Sequence, residues 1–372
     1  RPLYDNDARC VFNFGRQSLT YGTIAVNYVE SLGSRREHGQ WLTNARDKIS
    51  GRTLEIRSRV LVNACGPYVD AHNRLSREQT RYHHLFSKGV HLIVDRLTDN
   101  QRVLTFFASD GRLFFLIPMG PKTCIGTTDT QVDTPEVGVS DEDRDFVLAN
   151  VNALLDLDPP LTRASIISER VGVRPLAIRG EGGEADWVAL SRKHVLEVNE
   201  SSRHLSIFGG KLTDCLNVGD EVADHVRRLG IELPVAGHRW YGEPGPDLRA
   251  EFMLQARLMG LDDLTDPSSS EPLSERFWRR YAESAFGLLE RIREDESNAE
   301  LLIENAEYTR CEIELAARRE MIVKLEDFMR RRSKIEFVVR REDLIGAPGL
   351  REACEILFGD EADQRLQEYL RD

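Results

Sequence analysis

Val171-Gly172-Val173-Arg174-Pro175-Leu176 and Leu205-Ser206-Ile207-Phe208-Gly209-Gly210-Lys211-Leu212-Thr213 are the two stretches that decide the fold. Each is predicted to be a short apolar strand ending in small or conformationally free residues, where the backbone can approach a flat ligand closely. Each also places one cation at its strand end, Arg174 and Lys211. Because a guanidinium fork suits phosphate or carboxylate and a lysine adds a compact charge, the pair predicts a site for a small anion. By itself a Gly-Gly-Lys sequence is also typical of an ordinary turn before a surface lysine.

The segments on either side of these stretches are predicted to be strands and a helix. Residues 164–170 should lead into the first stretch as a strand, and a hairpin of residues 194–198 and 204–208 should lead into the second. Apolar residues at helical spacing follow over residues 212–229, so Gly209 and Gly210 are expected just before a helix N-terminus. Such an end carries partial positive charge and unpaired amides, which favour an anionic group.

Composition argues against several classes of protein. The chain has 372 residues, enough for two or three domains, and its net charge of −12 argues against a general nucleic-acid binder. No run approaches the roughly 18 apolar residues of a membrane span, and no secretory signal is expected. The six cysteines form no Cys-x-x-Cys pair and the nine histidines no spaced ligand set. Reduced thiols in a cytoplasmic compartment and no metal site are therefore predicted.

The first 81 residues are predicted to contain a helix, a hairpin and a buried parallel strand. Asp7 is the expected cap of the helix, residues 23–29 are expected as a buried strand, and residues 40–45 and 53–56 as the hairpin. The run Val60-Leu61-Val62-Asn63-Ala64 is typical of a central parallel strand, and Gly66-Pro67 marks its exit into a helix. An interior strand followed by a Gly-Pro turn, without any ligand, is the alternative interpretation.

Residues 82–128 are predicted to form an antiparallel sheet. Its strands are expected at residues 90–94, 103–107, 113–117 and 123–127, with Asp110-Gly111 as a hairpin turn. His91 lies two positions past Gly89, so its ring is expected to reach a cleft at the sheet edge, although a packed or exposed histidine is the alternative. Ser140 and Asp143 predict a capping box for a helix that continues to residue 155.

The remainder of the chain is predicted to be helical. A Gly- and Pro-rich linker is expected over residues 236–246, followed by helices over residues 248–259, 274–293, 299–305, 307–329, 350–357 and 363–370. The basic cluster Arg330-Arg331-Arg332-Ser333-Lys334 has two interpretations, contact with an anionic membrane surface or a solvated helix end. Interspersed acidic residues favour the second.

Seven collinear motifs make the sequence similar to the flavin-dependent glycerol-3-phosphate dehydrogenase and α-glycerophosphate oxidase family. They lie at residues 7–9, 61–69, 87–92, 110–118, 125–129, 171–176 and 208–213, and residues 312–332 resemble the family's C-terminal helical segment. The resemblance implies an α/β plus α architecture, an FAD/NAD(P)-binding (DAO-like) flavoprotein fold with an antiparallel substrate-domain sheet and a C-terminal all-helical domain.

The resemblance also implies domain boundaries. Residues 1–81 would be a residual part of the FAD-binding domain, 82–170 the substrate domain, 171–235 the return to the FAD-binding domain, 236–246 the linker and 247–372 the helical domain. No Gly-x-Gly-x-x-Gly turn occurs, and the family carries that pyrophosphate-binding turn ahead of the matching motifs. The chain is therefore expected to be a fragment that lacks the N-terminal region.

The implied activity is oxidation of sn-glycerol 3-phosphate to dihydroxyacetone phosphate, with FAD as cofactor and a quinone as electron acceptor, or dioxygen in the oxidases. His91 is the expected base, and Arg174 and Lys211 are expected to hold the substrate. The expected cofactor-binding residues are Asn63, Ala64, Gly66, Gly172, Gly209, Gly210, Leu212 and Thr213. A cytoplasmic location, peripheral contact with the inner face of the cytoplasmic membrane, and a homodimer are further expectations.

Two other classes stay open at this point. A flavin amine or amino-acid oxidase would share the fold but is expected to lack the helical domain, and a non-catalytic remnant or binding scaffold would hold no flavin. One departure bears on the substrate. After Lys211 the family usually continues Thr-Thr-Tyr-Arg, whereas this chain has Thr213-Asp214-Cys215-Leu216. A carboxylate at Asp214 is expected to be unfavourable near a phosphate site.

Overall fold

The computed structural model describes residues 6–180, 193–235 and 244–371. Most of the predicted linker at 236–246 lies outside these ranges. Within them the chain forms three β-sheets followed by a helical region, and none of the helices there has the length and apolar character needed to cross a bilayer.

Strands and helices follow one another in this order along the described ranges. The strands are β1 (Val29–Glu37), β2 (Gln40–Asp47), β3 (Thr53–Ser58), β4 (Leu61–Asn63), β5 (Tyr82–Asp95), β6 (Leu104–Phe107), β7 (Leu113–Met119), β8 (Lys122–Gly126), β9 (Thr130–Val132), β10 (Ser168–Arg179), β11 (Val195–Asn199) and β12 (His204–Phe208). The α-helices are α1 (Asp7–Leu19), α2 (Val69–Ser76), α3 (Asp141–Leu154), α4 (Cys215–Arg228), α5 (Pro246–Leu258), α6 (Leu273–Tyr281), α7 (Ala285–Glu294), α8 (Arg310–Arg319), α9 (Ile335–Val338), α10 (Arg341–Gly346), α11 (Pro348–Phe358) and α12 (Ala362–Arg371). A 3₁₀ turn, Leu212–Asp214, precedes α4, and a π-helix, Asp327–Arg332, follows α8.

Helix α1 is capped by Asn6, not by Asp7 as predicted. The Asn6 side chain accepts a hydrogen bond from the amide of Ala8 at 2.8 Å, which leaves Asp7 in the first helical turn. Arg9 connects this helix to the C-terminal helical region. Its guanidinium is almost fully buried and lies 2.6 Å from the carboxylate of Glu320, directly after α8.

The N-terminal sheet consists of β1, β2 and β3 in antiparallel order, which confirms the predicted hairpin between β2 and β3. The predicted buried strand at residues 23–29 is wrong. Residues 23–26 pair with no strand in the described ranges, and the Ile24 side chain is 89 % exposed. Apolar composition alone therefore misplaced the start of β1, which lies at Val29.

The largest sheet has the order β10-β5-β8-β7-β6, with β9 also paired to β5. The four strands predicted between residues 90 and 127 are all present, and the capping box at Ser140 is confirmed. One face of the sheet packs on α3, where Val90 and Leu92 share a core with Val147. On the other face, Ile93 joins the core of the helical region.

Strand β10 runs through the predicted domain boundary between residues 170 and 171. All twelve of its residues pair with β5 in continuous register, so the first deciding stretch belongs to the large sheet. The second deciding stretch lies elsewhere, because β12 pairs antiparallel with β11 and parallel with β4. Strand β4 is short and Val62 is 37 % exposed, which corrects the prediction of a strand buried on both faces. Within the described ranges β4 has a neighbour on only one side.

The helical region is more broken than predicted. The single helix expected at 274–293 is α6 and α7, because Ala282 has a φ of 47° that no α-helix accommodates. Residues 299–305 contain no α-helix, and residues 307–329 form α8, a loop and the start of the π-helix. The basic cluster is not a solvated helix end, because the side chains of Arg332 and Lys334 are both buried.

Candidate active site

Strands β5 and β10 bring the predicted histidine and arginine to one face of the large sheet. Gly172 pairs with Gly89, and Arg174 pairs with Ser87. Side chains alternate between the two faces of a strand, and directly paired residues share a face. His91 and Arg174 are therefore on the same face, opposite the face that packs on α3, with glycines between them.

Arg174 lies flat across Gly89. A Cβ atom at position 89 would stand 2.5 Å from Arg174 Nη2, so any other residue there would displace the guanidinium. Nη2 donates a hydrogen bond to Thr127 Oγ1 at 3.1 Å, and Nη1 lies 3.7 Å from the carboxylate of Asp129, which also accepts a hydrogen bond from Ser87. Arg174 keeps 32 % of its side chain exposed. It is thus held in place while about a third of the side chain still faces solvent.

His91 packs against a second glycine and is electrically neutral near pH 7. A Cβ atom on Gly126 would stand 2.9 Å from His91 Cδ2, so the strand passes close beneath the ring. Burial, followed by the positive charges of Arg170 and Arg174, lowers the pKa of His91 to about 4, and Asp7 opposes this only partly. A neutral imidazole next to a guanidinium can accept a proton from a bound hydroxyl group.

The imidazole of His91 is expected to titrate near pH 4, well below its ordinary value of 6.5. Between these two pH values the unfolded chain would bind a proton on this histidine and the folded chain would not. The contribution of His91 to the free energy of unfolding therefore decreases as the pH falls from 6.5 towards 4. NMR titration of histidine-labelled protein measures the midpoint, and the signal lost in His91→Gln assigns it. A midpoint at or above about 6 would contradict the electrostatic environment described for this ring.

Gly209 and Gly210 form the turn predicted in the second stretch. Their φ values are 64° and 90°, which favour glycine. Gly209 donates its amide to His84 Nε2 at 3.1 Å, and a Cβ atom on it would stand 3.4 Å from Cβ of Ala177. Ala177 follows Arg174 by three residues, a separation of about 10 Å along the strand.

Lys211 follows this turn, and its side chain is exposed. Among the contacts of the described residues, none joins it to His91 or Arg174. The structure thus brings His91 and Arg174 together, while the convergence of Lys211 with them stays a prediction.

The carboxylate of Asp214 is paired with a histidine, which offsets part of the negative charge that was expected to oppose a bound phosphate. Asp214 Oδ2 lies 2.6 Å from His194 Nδ1, and His194 Nε2 lies 3.1 Å from Glu221. Burial alone would lower the pKa of His194, but the two carboxylates outweigh it and raise that pKa. The raised pKa favours the imidazolium form, whose positive charge partly offsets the two carboxylates next to the Gly-Gly turn.

The other predicted cofactor residues fall into two groups. The Asn63 side chain is buried and donates to the carbonyl of Val69 at 2.9 Å and to Asn73 Oδ1 at 2.7 Å. Asn63 therefore positions the turn after β4, and both hydrogen bonds donated by its amide nitrogen go to protein oxygens. The remaining residues around the two turns are exposed: Ala64, Gly66, Leu212 and Thr213.

Sequence reasoning missed the residues that hold Arg174. The motifs at residues 87–92 and 125–129 contain these residues: Gly89, Thr127 and Asp129. Only the strand register shows that all three lie next to the guanidinium of Arg174. The signal available in the sequence was the run Gly126-Thr127-Thr128-Asp129, in which small and polar residues directly follow an apolar strand.

The sheet face beside His91 and Arg174 has an open stretch at Gly172 that suits the flat ring of a flavin, because a Cβ atom on Gly172 would meet nothing within 4 Å. The space above Gly89 and Gly126 is occupied by the Arg174 guanidinium and the His91 ring. The Gly-Gly turn before α4 offers further exposed backbone. No cluster of three or more metal-ligating side chains occurs among residues 6–180, 193–235 and 244–371.

Comparison with known proteins defines the class. The model of the FAD-dependent oxidoreductase (DAO) family matches residues 6–203, more than half of the chain, and that of the C-terminal domain of α-glycerophosphate oxidase matches residues 202–354. The chain therefore belongs to the FAD-dependent oxidoreductase family, of which FAD is the defining cofactor, and it carries the helical region that the oxidase model describes.

The similar proteins include several glycerol-3-phosphate dehydrogenases. Glycerol-3-phosphate dehydrogenase 2 of Mycobacterium tuberculosis (strain ATCC 25618 / H37Rv) is 29 % identical over 335 residues, which are 89 % of this chain and 55 % of the relative. The mitochondrial glycerol-3-phosphate dehydrogenase of Bos taurus is 28 % identical over 58 % of this chain and 31 % of its own length. The structure of the glycerol-3-phosphate dehydrogenase from Bacillus halodurans complexed with FAD is 25 % identical, with a TM-score of 0.73 over 98 % of this chain and 72 % of that one. The chain thus spans between a third and about half of the curated relatives.

Proposed function

We propose that this chain belongs to an FAD-dependent glycerol-3-phosphate dehydrogenase, which oxidises sn-glycerol 3-phosphate to dihydroxyacetone phosphate. The observation that carries the proposal is the guanidinium of Arg174, which is held over Gly89 on the same open sheet face as a neutral His91. The named activity of the relatives supports the choice of substrate.

Arg174 and His91 have different roles in the proposed reaction. Arg174 binds an oxygen of the substrate and stabilises negative charge that develops on the C2 oxygen. His91 accepts the proton of the C2 hydroxyl group at an imidazole nitrogen. When bound, FAD supplies the acceptor for the hydride that leaves C2. Gly89 and Gly126 give the side chains of Arg174 and His91 room to lie close to the sheet, and Gly172 leaves the face beside them open to a flat ring and a small substrate.

Substrate binding also improves His91 as a base. In the free protein its pKa of about 4 makes it a weak proton acceptor. A phosphate dianion bound close to Arg174 brings negative charge beside the imidazole and raises this pKa towards the physiological range. Proton removal is thereby favoured only when an anionic substrate is present.

The visible spectrum of the purified protein, recorded with and without sn-glycerol 3-phosphate, tests the proposal. A flavin band that is bleached by sn-glycerol 3-phosphate, but not by glycerol, is expected. A flavin band that is bleached only by amines or amino acids would assign the chain to the amine-oxidase class instead. A protein that takes up no flavin from added FAD would indicate a non-catalytic scaffold.

We further propose a quinone as the electron acceptor, a cytoplasmic location with peripheral contact at the inner face of the cytoplasmic membrane, and a homodimer. These proposals rest on the family resemblance of the sequence. Anaerobic turnover with a soluble quinone, compared with peroxide formation in air, distinguishes the acceptors. Sedimentation with anionic vesicles and ultracentrifugation of the free protein test the membrane contact and the dimer.

A further inference from the structure

A polar cavity of about 360 Å³ lies in the helical region, between the π-helix and α12. It is lined by Lys324, Leu325, Glu326, Arg330, Glu336, Arg341, Arg365, Glu368 and Tyr369. Its volume lies within the range of small-molecule sites. None of these residues belongs to β5 or β10, so the cavity is separate from the face that carries His91 and Arg174.

The charges around the cavity are unevenly matched. Each of the three lining carboxylates already has an arginine partner: Glu326 with Arg331 at 2.9 Å, Glu336 with Arg330 at 3.4 Å, and Glu368 with Arg365 at 3.1 Å. Lys324 and Arg341, by contrast, have no carboxylate within 4.0 Å anywhere in the described part of the chain. Two cations therefore face the cavity without a contact that neutralises them.

Tyr369 adds a buried polar group with an incompletely satisfied hydroxyl to the same wall. It is only 6 % exposed, and its hydroxyl oxygen is buried without a well-directed hydrogen bond among the described residues. Burial and the nearby carboxylate of Glu336 raise the pKa of Tyr369, so the hydroxyl keeps its proton. The guanidinium of Arg341 stands 5.7 Å from the centre of the tyrosine ring. A buried hydroxyl group whose hydrogen bond is poorly directed is incompletely satisfied, and a ligand oxygen in line with it would satisfy it better.

We propose that this cavity binds a small organic anion that also carries hydroxyl groups, a sugar phosphate or a polyhydroxy carboxylate. Its anionic end is bound by Arg341 and Lys324 and accepts a hydrogen bond from Tyr369. Its hydroxyl groups donate to the paired carboxylates on the opposite wall. Four cations against three carboxylates give the lining a charge of about +1, which suits a monoanion or dianion and disfavours a polyanion such as a nucleoside triphosphate.

Isothermal titration calorimetry with glucose 6-phosphate, gluconate and glucose tests this site. Comparison of the first two compounds shows whether the cavity prefers a phosphate or a carboxylate. At least one of the two anions is expected to bind, and glucose is expected not to. Arg341→Gln should weaken binding about tenfold or more, because a charge-assisted hydrogen bond is lost. Arg351→Gln is the matched control, since Arg351 is exposed and paired on the surface of α11. Absence of binding by both anions, or equal affinity in Arg341→Gln, would overturn the proposal.

Tyr369→Phe gives a test that does not depend on a folding defect. Because the hydroxyl group makes only a poorly directed contact with the Glu336 carboxylate in the free protein, its removal should change the melting temperature little. Affinity for the anion should nevertheless fall severalfold. Arg174→Met should bind the same anion as tightly as the native protein, which distinguishes this cavity from the proposed active site. Loss of binding in Arg174→Met with retention in Tyr369→Phe would place the anion at the active site and refute the inference.

Discussion

Replacement of Arg174 by methionine is expected to lower kcat/KM for sn-glycerol 3-phosphate by about a hundredfold to a thousandfold, the usual effect of removing one preorganised donor to a developing oxyanion. The guanidinium is fixed by Gly89, Thr127 and Asp129, so its position is prepared before substrate arrives. Methionine keeps the length of the side chain and removes its charge. The rate of flavin bleaching measures the effect.

Arg179→Met is the matched control for this experiment. Arg179 ends the same strand, is exposed, and alternates onto the opposite face from Arg174. Its replacement should leave the bleaching rate nearly unchanged. If Arg174→Met reduced the rate less than tenfold, or if both variants reduced it equally, the assignment of substrate binding to Arg174 would be wrong.

Replacement of Glu312 by glutamine is expected to destabilise the helical region by about 3–5 kcal/mol, as is typical when one partner of a buried ion pair is removed. Glu312 and Arg280 are fully buried and 2.9 Å apart, and Glu312 also caps α8 by accepting the amide of Thr309 at 2.8 Å. The buried guanidinium of Arg276 lies close to both. Glutamine would remove the carboxylate that lies 2.9 Å from the buried guanidinium of Arg280 and that also stabilises the positive charge of Arg276.

Chemical denaturation of Glu312→Gln and Glu314→Gln measures this effect with a control in the same helix. Glu314 pairs with Arg291 at the surface, so its loss should cost less than about 1 kcal/mol. Burial raises the pKa of Glu312, but Arg280 and Arg276 outweigh it and hold that pKa below its ordinary value. The native protein should therefore lose this stabilisation as the pH falls through that lowered pKa, whereas the glutamine variant should not. Equal stability of the two variants would contradict the role given to Glu312.

The large sheet could be predicted from the sequence because its signals are local. Alternating apolar residues and the Asp110-Gly111 turn specify the strands, and the spacing of Ser140 and Asp143 specifies the start of α3. Arg174 was also found from the sequence, because a charged residue beside glycines in an apolar run is unusual, and His91 was found through the family resemblance. The predicted strand end at Arg174 is wrong, because Arg174 and His91 both lie inside long strands.

The breaks in the helical region could not be predicted, because tertiary contacts create them. Ala282 adopts a positive φ next to Arg280, whose guanidinium is fully buried against Glu312. A periodic pattern over residues 274–293 contains no sign of this contact. The arrangement around Arg174 was missed for a related reason, since Gly89 and Thr127 are distant in sequence and meet only through the strand register.

The buried ion pair of Arg9 and Glu320 couples the position of helix α1 to that of the segment after helix α8. Asp7, at the start of that helix, contacts Arg170 at 3.3 Å, and both residues influence the proton affinity of His91. Any displacement of the segment around Glu320 would therefore draw a negative charge away from the reacting end of the sheet. The position of this segment is thus coupled through helix α1 and Asp7 to the pKa of His91, although Asp7 contributes less to that pKa than burial, Arg170 and Arg174 do.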